Sequence, residues 1–149
     1  MKKYYLVAFL SMVTLLGCTE MIRVDTDTYM QNQASYEGKH AIITAELEDV
    51  LENYELFQGK HIEVSAPLTH FEERDAPAWF LTLEKNGKKI RCYEDDYISY
   101  VPPDALYLAR WARRDGGEVT ARGKLKEGRI ELDQLSYKGL IVNTNTIPS

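Results

Sequence analysis

The chain is poor in the residues that most enzymatic and metal chemistry needs. It has two cysteines and three histidines in 149 residues. His40, His61 and His70 have no metal-type spacing such as HExxH, and there is no G-x-S-x-G, P-loop or paired-cysteine motif. Asp95 and Asp96 are adjacent, so on a strand they would point to opposite faces; they read as a solvated turn. A non-enzyme without metal or cofactor is therefore expected. No apolar run reaches the ~20 residues that span a bilayer as a helix. An excess of positive charge is also missing: 18 basic residues face 23 acidic ones, a net charge of −5. Non-specific nucleic-acid binding rests on neutralising phosphates, so nucleic acid is not the expected partner.

What is present begins with an address. Lys2 and Lys3 precede the apolar run Tyr4 to Leu16, which ends in Leu15-Leu16-Gly17-Cys18. This segment resembles the signal and lipobox of bacterial lipoproteins. The resemblance implies removal of residues 1–17 and acylation of Cys18, at its sulfur and at the new N-terminus. Each buried methylene of such chains contributes about 0.8 kcal/mol, and several chains anchor stably. It implies a cell-envelope location; in a Gram-negative host, Thr19 after the cysteine favours the outer membrane, facing the periplasm. Without Lys2 and Lys3 the side-chain charge becomes −7, with 16 basic residues against 23 acidic. Cys92 is then the remaining thiol of the folded part. It cannot form an internal disulfide, and its position reads as a small buried hydrophobe.

Residues 18–35 are polar and weakly periodic, which reads as a flexible tether. A single domain is expected over 36–149. Leu47, Val50, Leu51 and Tyr54 follow helical spacing, so a helix is expected over about 44–57, capped by Thr44 and ended near Gly59. Gly38 to Leu47 matches Gly59 to Leu68 at five of ten positions. That match leaves Lys39 to Ile43 open between strand and helix lead-in, and one short pair does not make a repeat architecture.

The strongest local signal is Trp79 to Glu94: two alternating runs around Asn86-Gly87, a dipeptide suited to a type I′ turn. Trp79, Leu81, Leu83, Ile90 and Cys92 form the inward set. The outward set is Phe80, Thr82, Arg91 and Tyr93, with Lys88 and Lys89 beside the turn. His61 to Leu68 alternates ahead of it, and Thr69 to Ala78 reads as an exposed loop. A second helix is expected over about Pro103 to Arg114, with Leu106, Ala109, Arg110 and Arg113 on one side and Tyr107, Leu108, Trp111 and Ala112 enlarging the apolar surface. Val119, Ala121, Gly123 and Leu125 then alternate, as do Ile130 and Leu132. The phase slips near Gln134, a bulge signal, before Leu135, Tyr137 and Ile141 resume inward. Asn143 to Ser149 reads as a polar tail.

Helix, three strands, helix, two strands is the order of an OB-fold barrel with an added leading helix. The expected class is thus β-rich α+β, with a five-stranded OB-like barrel over about 60–142. Phe57-Gln-Gly-Lys-His-Ile-Glu-Val64 and Gly117-Glu-Val-Thr-Ala-Arg-Gly-Lys124, followed by Ile130-Glu-Leu132, resemble the tRNA-anticodon-like OB-fold family. No set of functional residues carries over from it. OB-folds hold ligands on the outer face of strands two and three. The candidate ligand-binding residues are accordingly Phe80, Thr82, Arg91 and Tyr93, with Lys88, Lys89, Arg122 and Lys124 nearby. The expected function is a membrane-anchored, non-enzymatic binding module for a glycan, a peptide or an envelope protein. The alternative is an assembly lipoprotein working through protein contacts of its acidic helix or tether. A plain solvated surface is the competing account of the strand face.

Overall fold

The computed structural model describes residues 21–73, 79–93 and 103–144, with backbone alone at residues 72, 73, 79, 80 and 103. The expected leader 1–17, Cys18, residues 94–101 and the last five residues lie outside the described residues.

Alternation of apolar and polar residues builds a closed ring of five strands. These are β3 (His61–Glu73), β4 (Trp79–Lys85), β5 (Lys88–Tyr93), β6 (Glu118–Lys126) and β7 (Arg129–Tyr137). They pair in the order β3-β4-β5-β7-β6, and β3 pairs again with β6 to close the ring. The β5–β7 ladder is parallel and the other ring ladders are antiparallel. This connectivity is that of an OB-fold barrel, so the expected fold class is the observed one. Ile62, Val64, Leu81, Leu83, Ile90, Cys92, Ala121, Leu125 and Ile130 fill the interior. The long helix Pro103–Asp115 joins the third ring strand to the fourth. Its buried stripe is Ala105, Leu108, Ala109 and Ala112, at i, i+3, i+4 and i+7 spacing. Leu108, Ala109 and Ala112 are thus buried as expected, whereas Leu106 is half-buried and Tyr107, Arg110 and Arg113 are exposed. A further strand, β8 (Leu140–Asn143), folds back on β7 after a Lys138-Gly139 turn. Ile141 faces outward and Val142 inward, the reverse of the expected phase, because that turn resets the alternation.

The N-terminal third differs from expectation. Within the expected tether, residues 22–35 instead enter β1 (Ile22–Asp25), α1 (Thr26–Gln31) and a 3₁₀ turn (Gln33–Tyr36). The expected helix over 44–57 begins as strand β2 (Ala41–Ala45), so Lys39 to Ile43 leads into a strand. Two short helices follow, α2 (Leu47–Glu52) and α3 (Tyr54–Phe57), separated at Asn53. Glu46, not Thr44, is the N-cap residue of α2. We number the long helix α4. β1, β2 and β3 are all parallel. Thr69 to Glu73, expected as loop, instead extends β3 along β4 beyond a bulge at Leu68/His70.

The short match around the two Gly-Lys-His triplets marks a structural repeat of 21 residues. Asp25 and Glu46 are equivalent N-caps, and Asn32 and Asn53 share one conformation. The Asn32 side chain donates to the Thr28 carbonyl at 3.1 Å; the Asn53 side chain donates to Asp49 at 3.0 Å. Tyr36-Glu37-Gly38-Lys39 and Phe57-Gln58-Gly59-Lys60 close the same turn. In each, a glycine near φ +75° is followed by a lysine N–H donating to the aromatic residue's carbonyl. The strand partner lies 19 positions on in both ladders, Ile22 with Ala41 and Ile42 with His61. Two β–α units therefore stack on the barrel, with β3 shared.

Candidate functional site

The outer surface of β3, β4 and β5 carries a groove of about 580 Å³. Thr69 and His70 reach it from β3, Thr82 and Glu84 from β4, and Lys89 and Arg91 from β5. Cross-strand register makes this grouping: His70 pairs with Thr82, and Thr82 with Arg91. Adjacent residues on one face then lie within reach of a single ligand. Lys89 sits 3.9 Å from Glu84, so the groove offers both signs of charge and two hydroxyls. Beside it, the Arg129 guanidinium lies 5.3 Å from the ring centre of Tyr93, a cation–π contact.

Of the residues expected at the site, Thr82, Lys89 and Arg91 come together there. Tyr93 lies two positions beyond Arg91 on the same strand face. Phe80 is on β4, paired with Tyr93, and its side chain lies outside the described residues. Lys88 turns away to Glu48 and Glu52 of α2, at 3.2 and 3.4 Å. Arg122 and Lys124 lie on β6, elsewhere on the ring, so these three do not belong to the groove. His70 and Thr69 were missed, because their stretch reads as loop; the only sequence signal for them is the β-rich Thr-His-Phe run.

Arg122 has a structural task. On β7, Asp133 is the extra residue between Leu132 and Gln134, which pair with Gly123 and Arg122. The bulge aims its carboxylate at Arg122, 2.7 Å away, and at His61 of β3. Burial pushes the Asp133 carboxyl up, but hydrogen bonds from His61 and Arg122 outweigh it and hold the group below its ordinary value. Three side chains thereby tie β3, β6 and β7 together. Cys92 is fully buried, and burial pushes its thiol up, which suits an inert core residue. Among the described residues, no group of three or more His, Cys, Asp or Glu side chains is placed to hold a metal ion.

A second concavity, of about 320 Å³, opens at the N-terminal ends of the parallel strands. Its floor includes Tyr29, Tyr36 and Ile43, and its rim carries Lys39, His40 and Lys60 from the repeated turns, with Lys124 from β6, against one carboxylate, Glu37. The opposite ends of β1 and β2 carry an acidic concavity of equal size, with Asp25, Asp27, Glu46 and Asp49.

Among solved structures, the chain is similar to the apo form of the agmatidine synthetase TiaS. Identity is 18% over 62% of this chain and 20% of that one, with a TM-score of 0.39. It is also similar to an OBody bound to hen egg-white lysozyme, at 14% identity over 60% of this chain and 85% of that one, TM-score 0.40. A putative aspartyl-tRNA synthetase from Leishmania major Friedlin matches at 10% identity, TM-score 0.38. The chain spans about a fifth of the length of the two tRNA enzymes. No protein-family model matches it, and no curated protein does. The barrel assignment rests on strand connectivity.

Proposed function

We propose that this chain is a cell-envelope lipoprotein, held by acyl chains on Cys18, whose OB barrel is a non-enzymatic binding module. The observation that carries the reading is the groove formed by His70, Thr82, Glu84, Lys89 and Arg91 on the face where OB-folds hold ligands. Its mixture of hydroxyls, a carboxylate and cations suits a polar ligand with many hydrogen-bonding groups, a glycan or an extended peptide. A nucleic-acid backbone would demand cations free of carboxylate neighbours, and Glu84 stands inside the groove beside Lys89.

The test is photo-crosslinking in the native cells from position 82, followed by identification of the captured species. Capture is expected from the wild-type face and is expected to disappear in the triple variant His70→Ala/Arg91→Ala/Tyr93→Ala. Undiminished capture by that variant, or capture equally efficient from position 48 on α2, favours the assembly reading instead. The anchor has its own prediction. Cys18→Ser should shift the protein from the membrane fraction to the soluble one or leave it unprocessed; unchanged, processed membrane retention would refute acylation.

A further inference from the structure

We propose that the basic end of the parallel strands is a membrane-docking surface, pressed against anionic phospholipid headgroups. The proposal rests on the reading that Cys18 is acylated. Three observations converge on it.

The first is distance. Met21 lines the basic concavity and β1 begins at Ile22. A chain advances at most about 3.6 Å per residue, so Met21 lies within about 11 Å of Cys18 whatever path the chain takes. An anchor at Cys18 leaves no long leash, and the Met21 edge of the concavity is held about one Debye length from the anchor.

The second is charge. Lys39 and Lys60 take equivalent places in the two repeated turns and line the same concavity, and Lys124, which also lines it, pairs across the strand with His61. Among the described residues, these three lysines have no carboxylate partner, whereas Arg23, Lys85, Lys88, Lys89 and Arg122 each have one. Clustered like charges repel, and an anionic surface relieves that repulsion. The acidic concavity at the far ends of the strands gives the domain the opposite sign where it would face away from the lipid.

The third is apolar exposure at the same edge. Met21 and Ile22 are 45% and 40% exposed. They adjoin the anchor and can enter the headgroup boundary as the lysines meet phosphates.

The experiment uses the full-length, acylated protein in vesicles. Cys92 is buried, so an added cysteine is the reactive thiol. One fluorophore is placed at Glu37→Cys, on the basic end, and another at Asp27→Cys, on the acidic end. Quenching by headgroup-labelled lipid is read in phosphatidylcholine vesicles and in vesicles of equal parts phosphatidylcholine and phosphatidylglycerol. The label at 37 should be quenched more than the label at 27, the excess growing with phosphatidylglycerol and shrinking with salt. Each lysine near an anionic surface is worth about a fivefold change in partitioning, so Lys39→Gln/Lys60→Gln/Lys124→Gln should lose on the order of a hundredfold. Arg110→Gln/Arg113→Gln, on the outside of α4, should lose nothing. Equal quenching at 27 and 37, or equal losses from the two multiple variants, would overturn the proposal. So would inorganic phosphate raising the Tm of the wild type but not of the lysine variant without lipid-dependent quenching, which would make the concavity a soluble-anion site. Flotation separates the readings. Protein that fails to float with vesicles refutes the anchor and the docking together; protein that floats without the asymmetry refutes docking alone.

Discussion

At the residue scale, Asp133 and Gly123 form one device. Asp133 is the bulged residue, and Gly123 stands opposite the bulge. A Cβ at 123 would lie 1.9 Å from the Glu131 carbonyl oxygen, a backbone atom with no room to retreat. Gly123→Ala should therefore cost about 1–3 kcal/mol or more, read as a lowered Tm. Asp133 gives a pH signature. Its carboxyl is held below its ordinary value in the folded state, so its stabilising contribution is present above the unfolded carboxylate range near 4. That contribution is lost as pH falls through and below that range. Asp133→Asn should cost about 1–3 kcal/mol at pH 7, because His61 and Arg122 lose a charged acceptor. The Tm gap between wild type and variant should then narrow as the pH is lowered to about 3. A gap that stays constant with pH would show that the carboxylate's charge contributes nothing.

At the scale of elements, the ring was legible and the parallel units were not. Each ring strand announces itself by alternation, and the slip near Gln134 correctly marked a bulge. Asn86-Gly87 adopts the two positive φ angles of a type I′ turn, 54° and 77°. Two other hairpins use the same geometry with less suitable residues, Glu127-Gly128 at 51° and 77° and Lys138-Gly139 at 45° and 85°. The second was missed because lysine is a poor marker of positive φ. Glu127 carries that strain at an exposed position, so Glu127→Asn should stabilise by about 0.5 kcal/mol or more, measured by denaturant midpoint. In the N-terminal third, β1 contributes one buried side chain, Val24, too little for any periodicity to register. β2 was obscured because the helical spacing from Leu47 onward invites extension backwards through Thr44. In the candidate face, the β4–β5 partners were readable from the hairpin. His70 required knowing that β3 runs on past its bulge.

At the scale of the whole molecule, the stacked units and the barrel share one core. Val24, Tyr29, Ile43 and Leu47 belong to the same buried cluster as Leu81, Ile90 and Leu135. Ile43→Ala, in the layer outside the ring, should cost about 2–5 kcal/mol, as a buried large-to-small change does. It should do so by lowering a single unfolding transition followed by calorimetry. A separate early transition in that variant would show that the units unfold independently of the barrel.

The 21-residue recurrence makes the domain extensible in principle. Because both parallel ladders use the same offset and both turns the same geometry, a strand can be added without changing any joint already there. A duplicated copy of residues 38–58 would present the next unit with the edge that β2 now offers to β1. The distance of the outermost strand from the barrel would thus be set by copy number, one strand spacing of about 4.8 Å at a time. Lengthening would leave the barrel and its groove intact.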